Sequence, residues 1–340
     1  MAVRRLLALR ALGLGDFLTG VPAYRALAAA FPDHERLLAA PPELAPLVAL
    51  EGSFAGLVPV RPLQPLRTRI PAPDVAVNLH GRGPQSHRLL LELRPRRLVA
   101  FACAGLADGP AWRAEEHERE RWCRMLAEHG LPADPDDLEL PAPPLCNPPA
   151  RPYLLAHPGA ASPSRRWPVG SWVRLLEAEA AAGRHVVVSG GLDEVAIAQR
   201  IAAGIASPLV EVRAGSLSLL ELAGLVANAE LLVCGDTGVA HLATALRTPS
   251  VLLFGPTAPA HWGPPPARTW HRVLWKGGRG DPHASRIDPG LARISVDEVR
   301  EAVAVLRAEI AAQHGRRSPR FGPTPSADAA PGLALSGRGS

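Results

Sequence analysis

The chain has 340 residues, 47% of them hydrophobic and 20% charged, so it can bury full cores and is no disordered protein; its length favours two domains. Its formal net charge is +5, but four arginines after His314 against Asp328 supply +3 of that, and the remaining +2 excludes a general nucleic-acid binder. The cysteines Cys103, Cys123, Cys146 and Cys234 form no CxxC pair, which argues against a zinc site or a disulfide framework.

The opening "MAVRRLLALRALGLGDF" has the outline of a signal peptide, yet Arg10 and Asp16 interrupt the apolar run and leave no adequate hydrophobic segment. No stretch reaches the ~20 apolar residues of a spanning helix. A soluble cytoplasmic protein is expected, with peripheral contact at the inner face of the plasma membrane as an option. Arg61–Ala100 holds eight arginines against Asp74 and Glu92. That density fits an anionic acceptor or a membrane surface, and equally a solvated face in a chain whose only lysine is Lys276.

In chain order, Val3–Leu9 reads as a strand and Phe17–Phe31 as a helix behind the turn "GLGD". Arg36–Ala40 is the next strand, Glu43–Leu50 a short helix, and Val75–Leu79 a third strand. The loop "HGRGPQ" and a helix over Ser86–Leu93 follow. Leu131–Pro152 carries eight prolines, so residues 141–152 are expected to be an extended linker between a domain at 1–140 and one at 153–313.

The second half alternates more cleanly. Strands are expected at Tyr153–His157, His185–Ser189, Leu209–Val212, Leu231–Cys234 and Ser250–Phe254. Helices are expected at Gly170–Ala182, Glu194–Ala203, Ser218–Ala227, Val239–Leu246 and Val296–Ala312. Residues 314–340, rich in Gly, Pro, Ser and Arg, read as a disordered tail. Strands alternating with helices mean parallel, doubly wound α/β domains, here two across a cleft.

In such sheets ligands sit beyond the carboxyl ends of the strands. Small residues in "HPGAASPSRRWP" let the backbone approach a ligand, and Arg165 and Arg166 can grip phosphate oxygens; two adjacent arginines also fit an exposed approach to a helix. In "SGGLDE", Glu194 can accept two ribose hydroxyls or simply complement a helix dipole. In "CGDTGVAH", Asp236 is placed to cap the next helix, and the amides of Thr237, Gly238 and Val239 would face an anion. Asp236 would repel a phosphate in contact, which assigns it to sugar hydroxyls. His241 reads as a hydrogen-bonded structural histidine. "LGLGD" lacks the third glycine of a dinucleotide fingerprint; Asp16, after the first strand, fits a general base or a helix cap. "GRGD" at Gly278–Asp281 is read as a surface loop.

Together "GLGDFLTGVPAYRALAAAFP", "VNLHGRGPQS", "HPGAASPSRRWPVGSWVRLL", "GGLDE" and "DTGVAHLATALRTPSVLLFGPTAPAHWGP" resemble glycosyltransferase family 9, the heptosyltransferase family of GT-B fold, from about Val3 to Val305. The resemblance implies two Rossmann-like domains facing a central cleft, the first for acceptor and the second for a nucleotide-diphosphate sugar. It implies inverting transfer to a glycan or glycolipid acceptor with neither metal nor cofactor. Asp16 matches the family's proposed base. Arg165 stands where members often carry Lys at the donor phosphates, Glu194 where an acid binds ribose, and Asp236, Thr237 and Gly238 at the DTG motif.

Arg166, Val239 and Thr257 join that donor set, and His80 and Arg82 are candidates for the acceptor. The residues leave the donor open, ADP-heptose being the one the family suggests, and a monomer is expected. A GT-B sugar-nucleotide epimerase, a non-catalytic sugar-nucleotide binder and a glycoside hydrolase are the competing readings; the last needs two carboxylates flanking the bond and gives a phosphate loop no purpose.

Overall fold

The structure is a computed structural model that describes residues 3–66, 71–145 and 147–317. Cys146 and, in the basic stretch, Arg67 and Arg69 fall outside the described residues.

The first half contains β1 (Arg5–Leu9), α1 (Leu14–Thr19), α2 (Val21–Ala30), β2 (Glu35–Ala40), α3 (Ala45–Glu51) and β3 (Gly56–Pro59). Then come β4 (Val75–Asn78), α4 (Gln85–Leu91), β5 (Arg97–Val99) and α5 (Glu118–Glu128). All five strands are parallel, in the order β3-β2-β1-β4-β5. The chain winds outward from β1 to β3 and returns with β4 on the other side of β1. Two crevices of this kind, where the winding reverses, are where α/β sheets take ligands.

The second half supplies the other. It runs through β6 (Tyr153–His157), α6 (Val169–Ala181), β7 (His185–Val188), α7 (Val195–Ile205), β8 (Val210–Val212) and α8 (Leu219–Ala227). It continues with β9 (Leu231–Gly235), α9 (Gly238–Ala245), β10 (Ser250–Phe254), α10 (Pro259–Trp262), β11 (His271–Trp275), α11 (Pro289–Ala292) and α12 (Val296–Arg317). The six parallel strands lie in the order β11-β10-β9-β6-β7-β8, so the winding reverses between β6 and β9.

Every residue of β6, β9 and β10 is buried. Helices cover both faces of a parallel sheet, which is why these strands read as unbroken apolar runs. Leu154, Val233 and Leu253 point into the layer with Trp167 and Trp172, while Leu155, Leu232 and Leu252 enter the opposite layer. At about 25 cal/mol per Å² of apolar surface, such layers supply most of the folding free energy.

The helix expected at Phe17–Phe31 is two helices, with Gly20 both ending α1 and starting α2. A β-carbon on Gly20 would stand 2.5 Å from the Tyr24 hydroxyl oxygen. Of the tail expected from His314, the first residues instead continue α12 to Arg317, since Ala, Gln and Arg are good helix formers that outweigh Gly315; residues 318–340 lie outside the described residues. Among the described residues no helix is long and apolar enough to cross a membrane.

Candidate active site

The two reversal points face each other. Leu14 and Gly15 at the start of α1 pack on α9: a β-carbon on Gly238 would lie 2.8 Å from the Leu14 Cβ, and one on Gly15 3.0 Å from the His241 Cδ2. His117, which caps α5, donates from Nε2 to the Gly263 carbonyl at 2.9 Å. Arg279 of the "GRGD" loop pairs with Glu115 across the gap.

Between these contacts lies a cavity of about 410 Å³. It brings together Asp16, Arg165, Asp236, Thr237, Gly238 and Thr257, with His241, Trp262 and His283 completing the wall. Arg166, Glu194, Val239, His80 and Arg82 are not on that wall.

Asp16 sits in the first turn of α1, whose N-cap is Gly13. Burial pushes its carboxyl up from the usual value, against the pull of Arg10 and with a smaller push from Glu118. Arg10 is the residue the sequence reading missed, having been taken only as a break in an apolar run. It is fully buried, holds the Asp16 and Leu79 carbonyls, and donates to Thr19 Oγ1 at 3.1 Å and to Glu118 Oε1 at 3.2 Å.

Opposite, the loop after β6 turns through Pro163–Arg165. Arg165 reaches the Asp236 carbonyl at 3.3 Å, and its buried Nε has no partner among the described residues. Arg166 turns back to the Ala160 carbonyl at 2.8 Å. The adjacent arginines are therefore not equivalent. Ser164 fixes the loop from below, donating to the Pro282 carbonyl at 3.0 Å.

Asp236 follows β9 and is buried; burial lifts its carboxyl from 3.8 to about 6, although Arg165 and a hydrogen bond from Thr257 both pull it down. It is not the cap of α9. Thr237 is, with extended backbone and its hydroxyl accepting from Val239 N–H at 3.3 Å. An extended residue immediately before the helix can turn its side chain over the first-turn amides, and Thr237, not Asp236, holds that place. The Val239 amide is thus spent on the cap. Thr237 and Gly238 keep first-turn N–H groups with no carbonyl behind them in the helix.

His241 also differs from expectation. It lines the cavity, its ring edge-on to Trp262 at 5.8 Å, and no described residue hydrogen-bonds its ring. Burial and nearby positive charge press it down to about 4, so it is neutral at pH 7.

Glu194 sits at the turn between β7 and α7. Its carboxylate accepts from Gly191 N–H at 2.8 Å and stands 3.6 Å from His157 Nε2. It also covers Gly159, where a β-carbon would fall 2.0 Å from Glu194 Cδ. On the acceptor side, His80 is half-buried with its backbone N–H on Asn78 Oδ1 at 3.0 Å, and burial lowers it to about 4. Arg82 is exposed on the same loop. No group of three or more His, Cys, Asp or Glu among the described residues is gathered to hold a metal ion.

The sequence model described as Glycosyltransferase family 9 (heptosyltransferase) matches residues 115–278, which include Arg165, Glu194, Asp236 and Thr257. Over that segment the chain is similar to glycosyltransferase family 9, and its two facing parallel sheets have the GT-B fold. The chain is 35% identical over 157 residues to the lipopolysaccharide heptosyltransferase 1 of Pseudomonas aeruginosa, covering 45% of the chain and 43% of that relative. The alignment thus spans less than half of the relative's length. In three dimensions the chain is similar to the Escherichia coli ADP-heptose lipopolysaccharide heptosyltransferase II. The TM-score is 0.74 at 21% identity, over 90% of this chain and 99% of that one. It is also similar to the dodecameric iron-containing heptosyltransferase TibC in complex with ADP-D-beta-D-heptose, with TM-score 0.60, 15% identity, and 91% and 78% coverage.

Proposed function

We propose that the protein is an inverting glycosyltransferase that moves a sugar from a nucleotide-diphosphate donor to a hydroxyl of a glycan or glycolipid, without a metal ion. One observation carries the reading: a buried-side carboxylate, Asp16, and a cationic wall, Arg165 with the Thr237 and Gly238 amides, face the same cavity from opposite domains. ADP-heptose is the donor favoured, since one similar structure is an ADP-heptose heptosyltransferase and another holds ADP-D-beta-D-heptose.

Charge sets the mechanism. Asp16 takes the proton of the acceptor hydroxyl as its oxygen bonds to the anomeric carbon. The bond from that carbon to the diphosphate breaks on the opposite face, and its electron pair leaves with the diphosphate. A carboxyl raised by burial is a better base than an ordinary aspartate. Arg165 and the helix-start amides stabilise the growing negative charge; one such donor is worth on the order of 3 kcal/mol of barrier. Asp236 would face donor sugar hydroxyls, Glu194 the ribose, and Thr257 holds Asp236 in place. Arg166 shapes the phosphate loop through Ala160. His80 and Arg82 border the acceptor side. Such a protein works as a monomer in the cytoplasm, touching the inner face of the membrane through its arginines.

Thermal shift with ADP-, GDP- and UDP-sugars tests the donor half. ADP-heptose should stabilise most; stabilisation by none of them, at concentrations well above 1 mM, would refute the reading.

A further inference from the structure

We propose that Arg10 is a positioning residue that fixes the backbone of Asp16 at the reversal point of the first sheet while making no direct hydrogen bond to its carboxylate. The inference rests on the reading of Asp16 as the base.

Arg10 has no exposed side-chain surface. Every arm of its guanidinium is used: Nε on the Asp16 carbonyl, one terminal nitrogen on the Leu79 carbonyl, the other on Thr19 and Glu118. It thereby ties α1 to the ends of β1 and β4 and to α5. The Trp122 ring lies 5.0 Å away, and Glu118 also accepts from Trp122 Nε1 at 2.8 Å. A planar fork is the side chain able to reach so many acceptors at fixed angles; an ammonium is not.

The costs point the same way. Leu9 and Ala11 beside it are core residues, and a buried ion pair is often no more stable than apolar side chains of equal volume. Stability alone does not call for an arginine here. What the arginine adds is geometry at Asp16. Its nearest approach to the carboxylate is 3.8 Å, beyond hydrogen-bond range, while the carbonyl of the same residue is bound directly. A direct ion pair would have weakened the base.

Other groups act on Asp16 as well. Glu118 from α5 opposes Arg10, and the backbone at Gly13 and at Asp16 itself favours the charged carboxylate. Tyr24 from α2 is near Asp16 and His80 after β4 is near Arg10, and across the cavity stand neutral His241 and cationic Arg165. Of the charged groups, Arg10 acts most strongly.

Two variants test this. Arg10→Lys keeps the charge and loses the fork. Arg10→Gln with Glu118→Gln removes both charges, so no carboxylate is stranded. Carboxyl-13C-aspartate NMR of the protein alone follows Asp16, its resonance identified by its absence in Asp16→Asn, and transfer kinetics run in parallel. In Arg10→Lys, kcat should fall about 10- to 100-fold with donor affinity unchanged and the Asp16 titration in place. In the double variant the Asp16 titration, and the acid limb of kcat, should move to higher pH, because the stronger pull of Arg10 is lost with the weaker push of Glu118. A purely structural residue would lower thermal stability without moving that titration. An unmoved titration in the double variant, or an Arg10→Lys enzyme with wild-type kcat, overturns the inference. If the double variant does not fold, Arg10→Lys carries the test. The titration needs no substrate, so a wild-type protein that transfers no sugar would refute the functional reading separately.

Discussion

Gly238 meets Leu14 across the cleft so closely that a single added methyl would stand 2.8 Å from the Leu14 Cβ and 3.1 Å from the Gly15 nitrogen. Neither is the free end of a flexible chain, so the domains themselves must give. Gly238→Ala should therefore lower transfer by about 10- to 100-fold at a stability cost of only about 1–3 kcal/mol. Steady-state kinetics beside thermal unfolding separate the two; wild-type turnover would show that the cleft tolerates the shift.

Arg165 and Arg166 should differ sharply. Arg165→Ala removes a cationic donor from the cavity and is expected to cost about 100- to 1,000-fold in kcat/KM. Arg166→Ala loses a bond to the Ala160 carbonyl and should cost far less. Arg165→Lys should recover part of the loss, since an ammonium keeps the charge without the fork. Equal losses at both positions would mean that the loop rearranges when donor binds.

Glu194 covers Gly159, leaving 2.0 Å between its Cδ and a would-be β-carbon. Gly159→Ala must displace that carboxylate. Donor affinity by calorimetry should drop by about as much as in Glu194→Ala, and the double variant should be no worse than either, the mark of one shared interaction. Additive losses would disconnect Glu194 from the donor.

Asp236 predicts a pH effect on stability. Its carboxyl titrates near 6 in the folded chain and near 3.8 when unfolded, so between those values the folded state holds the extra proton. Stability should fall as pH rises from about 4 to 6, by up to about 3 kcal/mol. Asp236→Asn cannot lose a proton and should flatten that slope. Urea melts at pH 4 and 7 read the difference; an identical slope in both proteins would place the burial cost elsewhere.

Much of this was legible in the sequence where pattern and packing agree. β6 and β10 occur at the residues expected from their apolar runs, because strands buried on both faces must be apolar throughout. β11 was missed: His271–Trp275 is an edge strand with alternating exposure, so it carries half the signal. α5 was missed for another reason. Six of its eleven residues are charged, and Glu118, Arg119 and Arg121 are buried in ion pairs, which a hydrophobic period cannot reveal.

The same blindness hid Arg10. A sequence shows a charge among leucines, but its four partners come from Asp16, Thr19, Leu79 and Glu118, two of them distant along the chain. Thr237 was overlooked as the cap because Asp and Thr are both good caps, and only the backbone angle decides between neighbours. His241, one turn after Thr237 on the same helix face, makes a ring contact with Trp262 and no hydrogen bond among the described residues, so the expectation of a hydrogen-bonded structural histidine had no partner to meet.

The most direct measurement is single-turnover transfer from ADP-heptose by wild type and Asp16→Asn, each with donor binding measured and each in excess chelator. Wild type should transfer with inversion and be indifferent to the chelator, while Asp16→Asn binds donor equally well and fails to turn over. Undiminished transfer by Asp16→Asn, or activity lost to the chelator and restored by a metal ion, would contradict the account.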